Sequence, residues 1–330
     1  MSILDITGID LELADRLAVE LQDVGCIFDR QLASEYPPVN ALSVHVSRYR
    51  GKMLRPILVL LSGMATHHTD EDLDHQLRTL AAVCEMIHMA TLVHDDVLDE
   101  SSIRRGGPTI NSLHGNDMAV MLGDYLISNA FHLCSTLNRP DINLLIGRVT
   151  NTLCEGEIVQ LHHRDRLDLD EDLYFSIIER KTASLIGCCT EIGSIVAGSD
   201  PDQQRAMRQY GIDLGIAFQI TDDLLDLTGS QNELGKSVGR DLDMGKLTLP
   251  LIRALNTGDE SIKRSITALV RDRCHAQLRE LLQSEGWFES AQSTASERVR
   301  SAQEQLHHLV DSPARHMLHL MADAVLDRKV

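Results

Sequence analysis

Apolar residues recur at three- and four-residue intervals along nearly the whole chain, and the alternation of a half-buried strand is absent. The spacing predicts helices over about 9–34, 39–49, 55–66, 72–99, 114–137, 141–163, 171–197, 201–228, 247–256, 259–269, 272–285, 288–310 and 312–328. Pro37-Pro38, Gly106-Gly107-Pro108, Arg139-Pro140, Ser199-Asp200-Pro201 and Leu234-Gly235 interrupt the pattern. Asp200 reads as an N-cap with Pro201 at the first helical position. No low-complexity linker divides the chain, so the expectation is one all-α domain over residues 1–330. Its long helices are apolar around much of their circumference, as in a helical bundle around a central deep cavity.

Composition agrees with helix. Hydrophobic residues make up 43% of the chain and aromatics only 3%, so Leu, Ala, Ile and Met carry the core. A net charge of −18 argues against nucleic acid as a partner. An anionic substrate would need local cations or metal to overcome that field. The cysteines at 26, 84, 134, 154, 188, 189 and 274 show no CxxC spacing and read as reduced thiols of a cytoplasmic protein. The histidine pairs 67–68 and 162–163 lack partners at zinc-ligand spacing and read as surface residues. No apolar run reaches the length of a membrane span. The opening MSILDITGIDLELADRL is acidic and amphipathic, unlike a signal peptide.

Two stretches carry the chemistry. In "LVHDDVLDESSIRRG" an apolar helix ends in Asp95, Asp96 and Asp99, followed by Arg104 and Arg105. Residues four apart share a helix face, so Asp95 and Asp99 point the same way. Hard oxygens presented together suit Mg²⁺, which completes its shell with water and substrate phosphate. A solvated acidic helix end is the bland alternative, although carboxylates at a helix C-terminus oppose its dipole. "AFQITDDLLDLTG" repeats the DDxxD pattern as Asp222, Asp223 and Asp226, again after an apolar approach. Two copies are harder to read as solvated faces. Six carboxylates on two facing helices would make a polynuclear Mg²⁺ site for a diphosphate.

Cations match them. Lys52 and Arg55 lie in "RYRGKMLRPILVLL", where a loop meets a helix N-terminus and backbone N–H groups also favour anions. Lys181 and Thr182 interrupt an apolar helix, where a lysine is costly unless paired or facing a wet cavity. Lys236 and Lys246 flank a Gly-rich loop that could close over phosphates. Each loop could equally be an ordinary solvated one. Taken together, these cations exceed what one diphosphate needs and would suit two, one held through Mg²⁺ and one directly by Arg and Lys.

At this point the sequence resembles the trans-isoprenyl diphosphate synthase family, in its long-chain polyprenyl synthetase branch. The resemblance runs from about Arg50 to Pro250 and is carried by GKxxRP (Gly51 to Pro56), "EMIHMATLVHDDVLDESSIRRGGPT", "GDYL", "EGEIVQL", "KTASL", "YGIDLGIAFQITDDLLD" and "GKSVGRDLDMGKLTLPLI". Arg50 stands where the family often has glycine, and Met53 where a basic residue is frequent. The resemblance implies the isoprenoid synthase fold, a homodimer, and condensation of isopentenyl diphosphate onto an allylic diphosphate such as farnesyl diphosphate. It implies Mg²⁺, on the order of three ions per site, held by Asp95, Asp99 and Asp222 with Asp96, Asp223 and Asp226 in support. It places Lys52, Arg55, His88 and Arg105 on isopentenyl diphosphate. Arg104, Lys181, Thr182, Gln219, Lys236 and Lys246 would take the allylic diphosphate. His88 lies seven residues before Asp95 on the same helix face, in keeping with a cavity position.

Product length is read from the helix before Asp95. Thr91 and Ala90, one turn deeper, are small where short-chain relatives commonly carry a bulky aromatic. The tail would then pass Ile87, Val83 and Phe131, giving about eight isoprene units, within roughly six to ten, for quinone side chains and transfer to a membrane. A short-chain farnesyl or geranylgeranyl synthase is the alternative. A terpene cyclase would carry a mixed second metal motif in place of DDLLD and would lack Lys52 and Arg55. A non-catalytic synthase subunit would usually lose one aspartate cluster.

Overall fold

The computed structural model describes residues 8–66, 71–229 and 239–327. The helical periodicity becomes α1 (Leu11–Gln31), α2 (Pro37–Ser47), α3 (Leu54–Thr66), α4 (Glu71–Leu98), α5 (Ile110–His114), α6 (Asn116–Ser135), α7 (Pro140–His162), α8 (Glu171–Ile178), α9 (Ser184–Val196), α10 (Pro201–Thr228), α11 (Arg240–Asp243), α12 (Leu249–Thr257), α13 (Glu260–Arg271), α14 (His275–Ser284), α15 (Trp287–Gln305) and α16 (Pro313–Leu326). Aspartate caps start several of them. Asp10, Asp170 and Asp259 accept the backbone N–H of Leu13, Leu173 and Ile262 at 2.9, 2.7 and 2.8 Å. Asp200 accepts from Asp202 and Gln203 at 2.8 and 2.9 Å, the N-cap its sequence predicts. Among the described residues no helix is long and apolar enough to cross a membrane.

The boundaries correct the sequence reading in four places. Pro37-Pro38 opens α2 instead of breaking it, because the first helical N–H groups have no intrahelical acceptor to lose. A two-residue antiparallel pair, β1 (Ile103–Arg104) and β2 (Gly107–Pro108), stands where no strand is expected; it is too short to alternate. The stretch expected as one helix over 171–197 is α8, a π-helical turn (Glu179–Ala183) and α9. The π turn keeps helical periodicity, so the hydrophobic pattern cannot reveal it. The helix expected over 288–310 ends earlier, in a 3₁₀ turn at Leu306–His308. The Leu234-Gly235 breaker lies outside the described residues.

By internal contacts the chain forms two compact units, Met1–Thr150 with Cys188–Arg208 and Leu306–Leu320, and Asn151–Gly187 with Gln209–Gln305 and Met321–Val330. The boundaries at Thr150, Gly187 and Arg208 fall inside α7, α9 and α10.

In the first unit α4 packs against α1, α3 and α6. With neighbours on three sides its middle is buried all round: Leu77, Leu80, Val83, Met86, Ile87 and Ala90 are all closed off. Each of these side chains larger than alanine contributes about 1.5–3 kcal/mol. Further along, a half-exposed stripe emerges at His88, Thr91, Asp95 and Asp99. The second unit has its own core, in which Ile216, Ile220, Leu224 and Leu227 of α10 meet residues of α12, α14 and α15. The cysteines are all free; Cys84, Cys134, Cys188 and Cys189 are buried, while Cys26 and Cys154 are exposed.

Candidate active site

In the first unit, α4 delivers the first aspartate cluster to its C-terminal end. Asp96 is buried, and Arg104 of β1 donates from Nε to its Oδ1 at 2.8 Å. The β1–β2 hairpin is pinned there by Asn111, whose amide donates to the carbonyls of Asp96 and Ser101 at 3.0 and 3.1 Å. Thr109 adds a hydroxyl bond to the Ser101 carbonyl at 2.7 Å. Arg105 follows at φ 50° and donates from Nη1 to the Tyr49 carbonyl. Its guanidinium covers Gly51, where a Cβ would lie 2.6 Å from Arg105 Cζ. A side chain at this first residue of the GKxxRP motif would have to push the end of that arginine aside.

Lys52 is exposed in the loop before α3, and Arg55 is half-buried in the first turn of that helix. His88 is half-buried on the α4 stripe. Burial, together with Arg55, Arg105 and Arg104, pushes its imidazole well below the usual histidine range, so it is neutral at pH 7. Two residues absent from the sequence reading complete this region. Glu85 is buried three residues before His88; burial raises its carboxyl, and the charges of Arg55, Arg105 and Arg50 oppose that rise. Tyr49 is buried with its phenol pushed up to about 12 by burial and by Asp96, while its oxygen accepts the Ile110 N–H at 3.1 Å. The negative groups near Arg104 and Arg105 are thus Asp96 and Glu85 of the same unit.

The residues proposed for chain length separate. Thr91 lies on the half-exposed stripe with Asp95, and its hydroxyl bonds the His88 carbonyl at 2.8 Å. Phe131 is also half-buried. Ala90, Ile87 and Val83 are closed inside the core. The reason is the helical turn: a residue five before Asp95 is rotated far from its face, while one four before is nearly aligned.

In the second unit, a cavity of about 100 Å³ is lined by Lys181, Thr182, Gln219, Asp223, Asp241 and Lys246, among others. The π turn presents Lys181 and Thr182 side by side. Lys181 donates to Gln160 Oε1 at 2.9 Å and pairs with Glu157, which relieves the cost of a lysine in an apolar segment. Thr182 donates to Gln219 Oε1 at 2.9 Å. Asp223 is buried between Gln219 Nε2 at 2.8 Å and the Tyr174 hydroxyl at 2.7 Å. Burial, then the charge of Asp241, raises its carboxyl well above the usual range. Asp226 accepts the backbone N–H groups of Arg240 and Asp241 at 3.2 and 3.1 Å. It therefore caps α11, and burial with the Asp241 charge lifts its pKa to about 6. Asp222 is half-exposed. His163 lines this cavity, correcting its reading as a surface residue; His162 is exposed. Lys236 and the pair His67-His68 lie outside the described residues. Tyr174, Asp241 and Gln160 are cavity residues the sequence reading missed. Asp241, in "GRDLDMGK", could have been found by its place in the Gly-rich loop; a tyrosine in an apolar helix carries no such signal.

Among the described residues, no three Asp, Glu, His or Cys side chains converge as a protein metal cage. Asp95, Asp99 and Asp222 are half-exposed, while Asp96, Asp223 and Asp226 are held by neighbouring protein groups. Within either unit, one or two such carboxylates suit a hard cation that fills the rest of its shell with water and substrate oxygens, as Mg²⁺ does.

Comparison with known proteins follows the same lines. The model of the family described as Polyprenyl synthetase matches residues 37–284. The chain is 38% identical to the all-trans-nonaprenyl-diphosphate synthase (geranyl-diphosphate specific) of Rhodobacter capsulatus, covering 95% of this chain and 97% of that one. It is 34% identical to the short chain isoprenyl diphosphate synthase of Methanothermobacter thermautotrophicus, covering 91% and 94%. The crystal structure of a decaprenyl diphosphate synthase from Rhodobacter capsulatus superimposes with a TM-score of 0.88 at 36% identity, over 96% of this chain and 98% of that one. The all-α fold is therefore the isoprenoid synthase fold, and the chain belongs to the polyprenyl synthetase family of prenyltransferases.

Proposed function

We propose that the protein condenses isopentenyl diphosphate head-to-tail onto an allylic diphosphate such as farnesyl diphosphate, in a Mg²⁺-dependent reaction that builds a long prenyl chain of about eight units. What supports this reading is the cavity that Lys181, Lys246, Thr182 and Gln219 line together with Asp223 and Asp241. Cations, donors and carboxylates in one small space suit a diphosphate better than any neutral ligand.

In this reading Lys181, Thr182, Gln219 and Lys246, with Arg104 and Lys236, bind the allylic diphosphate. Asp95, Asp99 and Asp222 would hold Mg²⁺, which supplies Lewis-acid stabilisation of charge on the leaving diphosphate. As the C–O bond breaks, the lysines meet the negative charge that grows on the leaving group. Lys52, Arg55 and Arg105 hold isopentenyl diphosphate, and neutral His88 offers it one N–H. The double bond of that substrate attacks the allylic cation, and the departing diphosphate takes the released proton. No protein nucleophile is required. Apolar walls exclude water that would quench the cation.

Thr91, small and on the Asp95 stripe, supports a long product. Quinone side chains delivered to a membrane are the corresponding use. A homodimer acting in the cytoplasm completes the reading. It is supported by α5 and α6, which leave Leu113, Met118 and Met121 exposed as an apolar surface that a second copy would cover. Incubation of the purified protein with Mg²⁺, isopentenyl diphosphate and farnesyl diphosphate tests the whole reading. Mass spectrometry of the dephosphorylated products should show a ladder ending near forty carbons, about eight units. A cyclic hydrocarbon, or no condensation, would refute it; a product stopping at twenty carbons would keep the reaction and overturn the long-chain assignment.

A further inference from the structure

Three hydrogen bonds join four side chains of the second unit in a row. The Tyr174 hydroxyl donates to Asp223 Oδ2 at 2.7 Å, Gln219 Nε2 donates to Asp223 Oδ1 at 2.8 Å, and Thr182 Oγ1 donates to Gln219 Oε1 at 2.9 Å. Tyr174 and Asp223 are 3% and 5% exposed, so neither can replace these partners with bulk water. Tyr174 belongs to α8, ahead of the π turn, and Thr182 to the turn itself, while Gln219 and Asp223 stand one helical turn apart on α10. The row therefore fastens α10 to α8 at one point and to the π turn at another.

The order of donors and acceptors has a consequence. A glutamine amide has two near-equivalent orientations that exchange its N–H and C=O sides. Here Nε2 faces Asp223 Oδ1 and Oε1 faces the Thr182 hydroxyl, the orientation in which both sides of the amide find a partner. Asp223 is itself pushed by a like charge, since Asp241 lines the same cavity. The phenol is the second donor that keeps the carboxyl in place. A phenylalanine would fill the same volume and keep the edge-to-face packing on Phe175, whose ring centroid is 5.5 Å away. Packing alone therefore does not call for the hydroxyl, and burying one without a bonding role carries a cost.

We propose that Tyr174 is a positioning residue for the allylic diphosphate: its hydroxyl holds the Asp223 carboxyl, which with Thr182 fixes the Gln219 amide so that the second hydrogen of Nε2 is free to donate to a diphosphate oxygen in the cavity. The proposal rests on the reading of this cavity as the allylic diphosphate site. Tyr174 lies outside the DDxxD and KTASL motifs, and it acts through other side chains.

The test is a double-mutant cycle on the full-length protein, with steady-state kinetics for farnesyl diphosphate and isopentenyl diphosphate measured separately. Tyr174→Phe should raise the KM for farnesyl diphosphate about tenfold and leave the KM for isopentenyl diphosphate within about twofold. In a Gln219→Ala background the same substitution should add nothing, because its route to the substrate is already cut. If Gln219→Ala weakens farnesyl diphosphate binding and Tyr174→Phe does not, or if the two effects add, the relay is overturned while the cavity assignment stands. If Gln219→Ala itself leaves the farnesyl diphosphate KM unchanged, the cavity assignment falls and the relay with it. Should Tyr174→Phe fail to fold, Tyr174→Leu, which also lacks the hydroxyl, takes its place in the cycle, and additivity with Gln219→Ala overturns the relay.

Discussion

Gly215 is where α10 touches the π turn, and replacing it separates stability from catalysis. A Cβ built there would lie 2.5 Å from the Cα and 2.8 Å from the Cβ of Ala183. Carbon atoms in contact rest about 3.5–4.0 Å apart, so the turn must retreat by about 1 Å in Gly215→Ala. Two stability effects oppose each other. Alanine in a helix interior is favoured over glycine by about 0.8–1 kcal/mol. Overpacking against backbone costs about 1–3 kcal/mol. The net change lies between about zero and 2 kcal/mol destabilising, a fall in Tm of at most about 4–5 °C for a chain of this size. Catalysis should suffer far more. Lys181 and Thr182 sit in the turn that moves, and a 1 Å misplacement of positioning groups costs about a hundredfold in rate. Thermal melts and steady-state kinetics on farnesyl diphosphate check both numbers. A variant with a raised Tm and unchanged turnover would show that the contact with Ala183 does not set the turn, and the reasoning from close approach would fail.

Asp95→Ala and Asp222→Ala should each lower turnover on the order of a thousandfold or more while the protein keeps its melting temperature; near-normal turnover of either variant at saturating Mg²⁺ would refute the role given to both clusters. Thr91→Phe, on the half-exposed stripe, should shorten the product towards fifteen or twenty carbons, about three or four units. Ala90→Phe, in the closed core, should instead cost about 1–3 kcal/mol by overpacking; mass spectra and melts distinguish them, and an unshortened Thr91→Phe product rules out this face as the tail's path. His88 is held neutral in the native state, so below about pH 6.5 the unfolded chain binds a proton that the folded chain does not. Stability is then lost as pH falls, at up to about 1.4 kcal/mol per pH unit. Urea midpoints between pH 7 and 5 should fall less in His88→Gln than in the wild type, and parallel curves would remove His88 from this account.

The sequence by itself determined most of the helices, the cap at Asp200 and the repeated carboxylate pattern. Each of these is a local property: the 3.6-residue period, a cap at the start of a helix, and charges placed four apart are written within a few residues of one another. It also pointed correctly to Lys181 as a lysine in need of company, since the cost of burying an ammonium does not depend on who relieves it. Tertiary structure alone decided the rest. Tyr174 and Asp223 are 49 positions apart, and Tyr49 and Arg105 are 56 apart, so no window of sequence contains either pair. Asp96 and Asp226 read identically to their half-exposed neighbours until Arg104 and the N-terminus of α11 are seen to occupy them. Ala90 and Thr91 are adjacent and both small, yet one faces the core and the other the aspartate stripe, because a rotation of about 100° per residue separates them and only the packed neighbours say which side is closed. The π turn is the clearest case. Its one-residue shift leaves the hydrophobic pattern intact, and it is the close approach of Gly215 and the Thr182–Gln219 bond that give it a place and a direction.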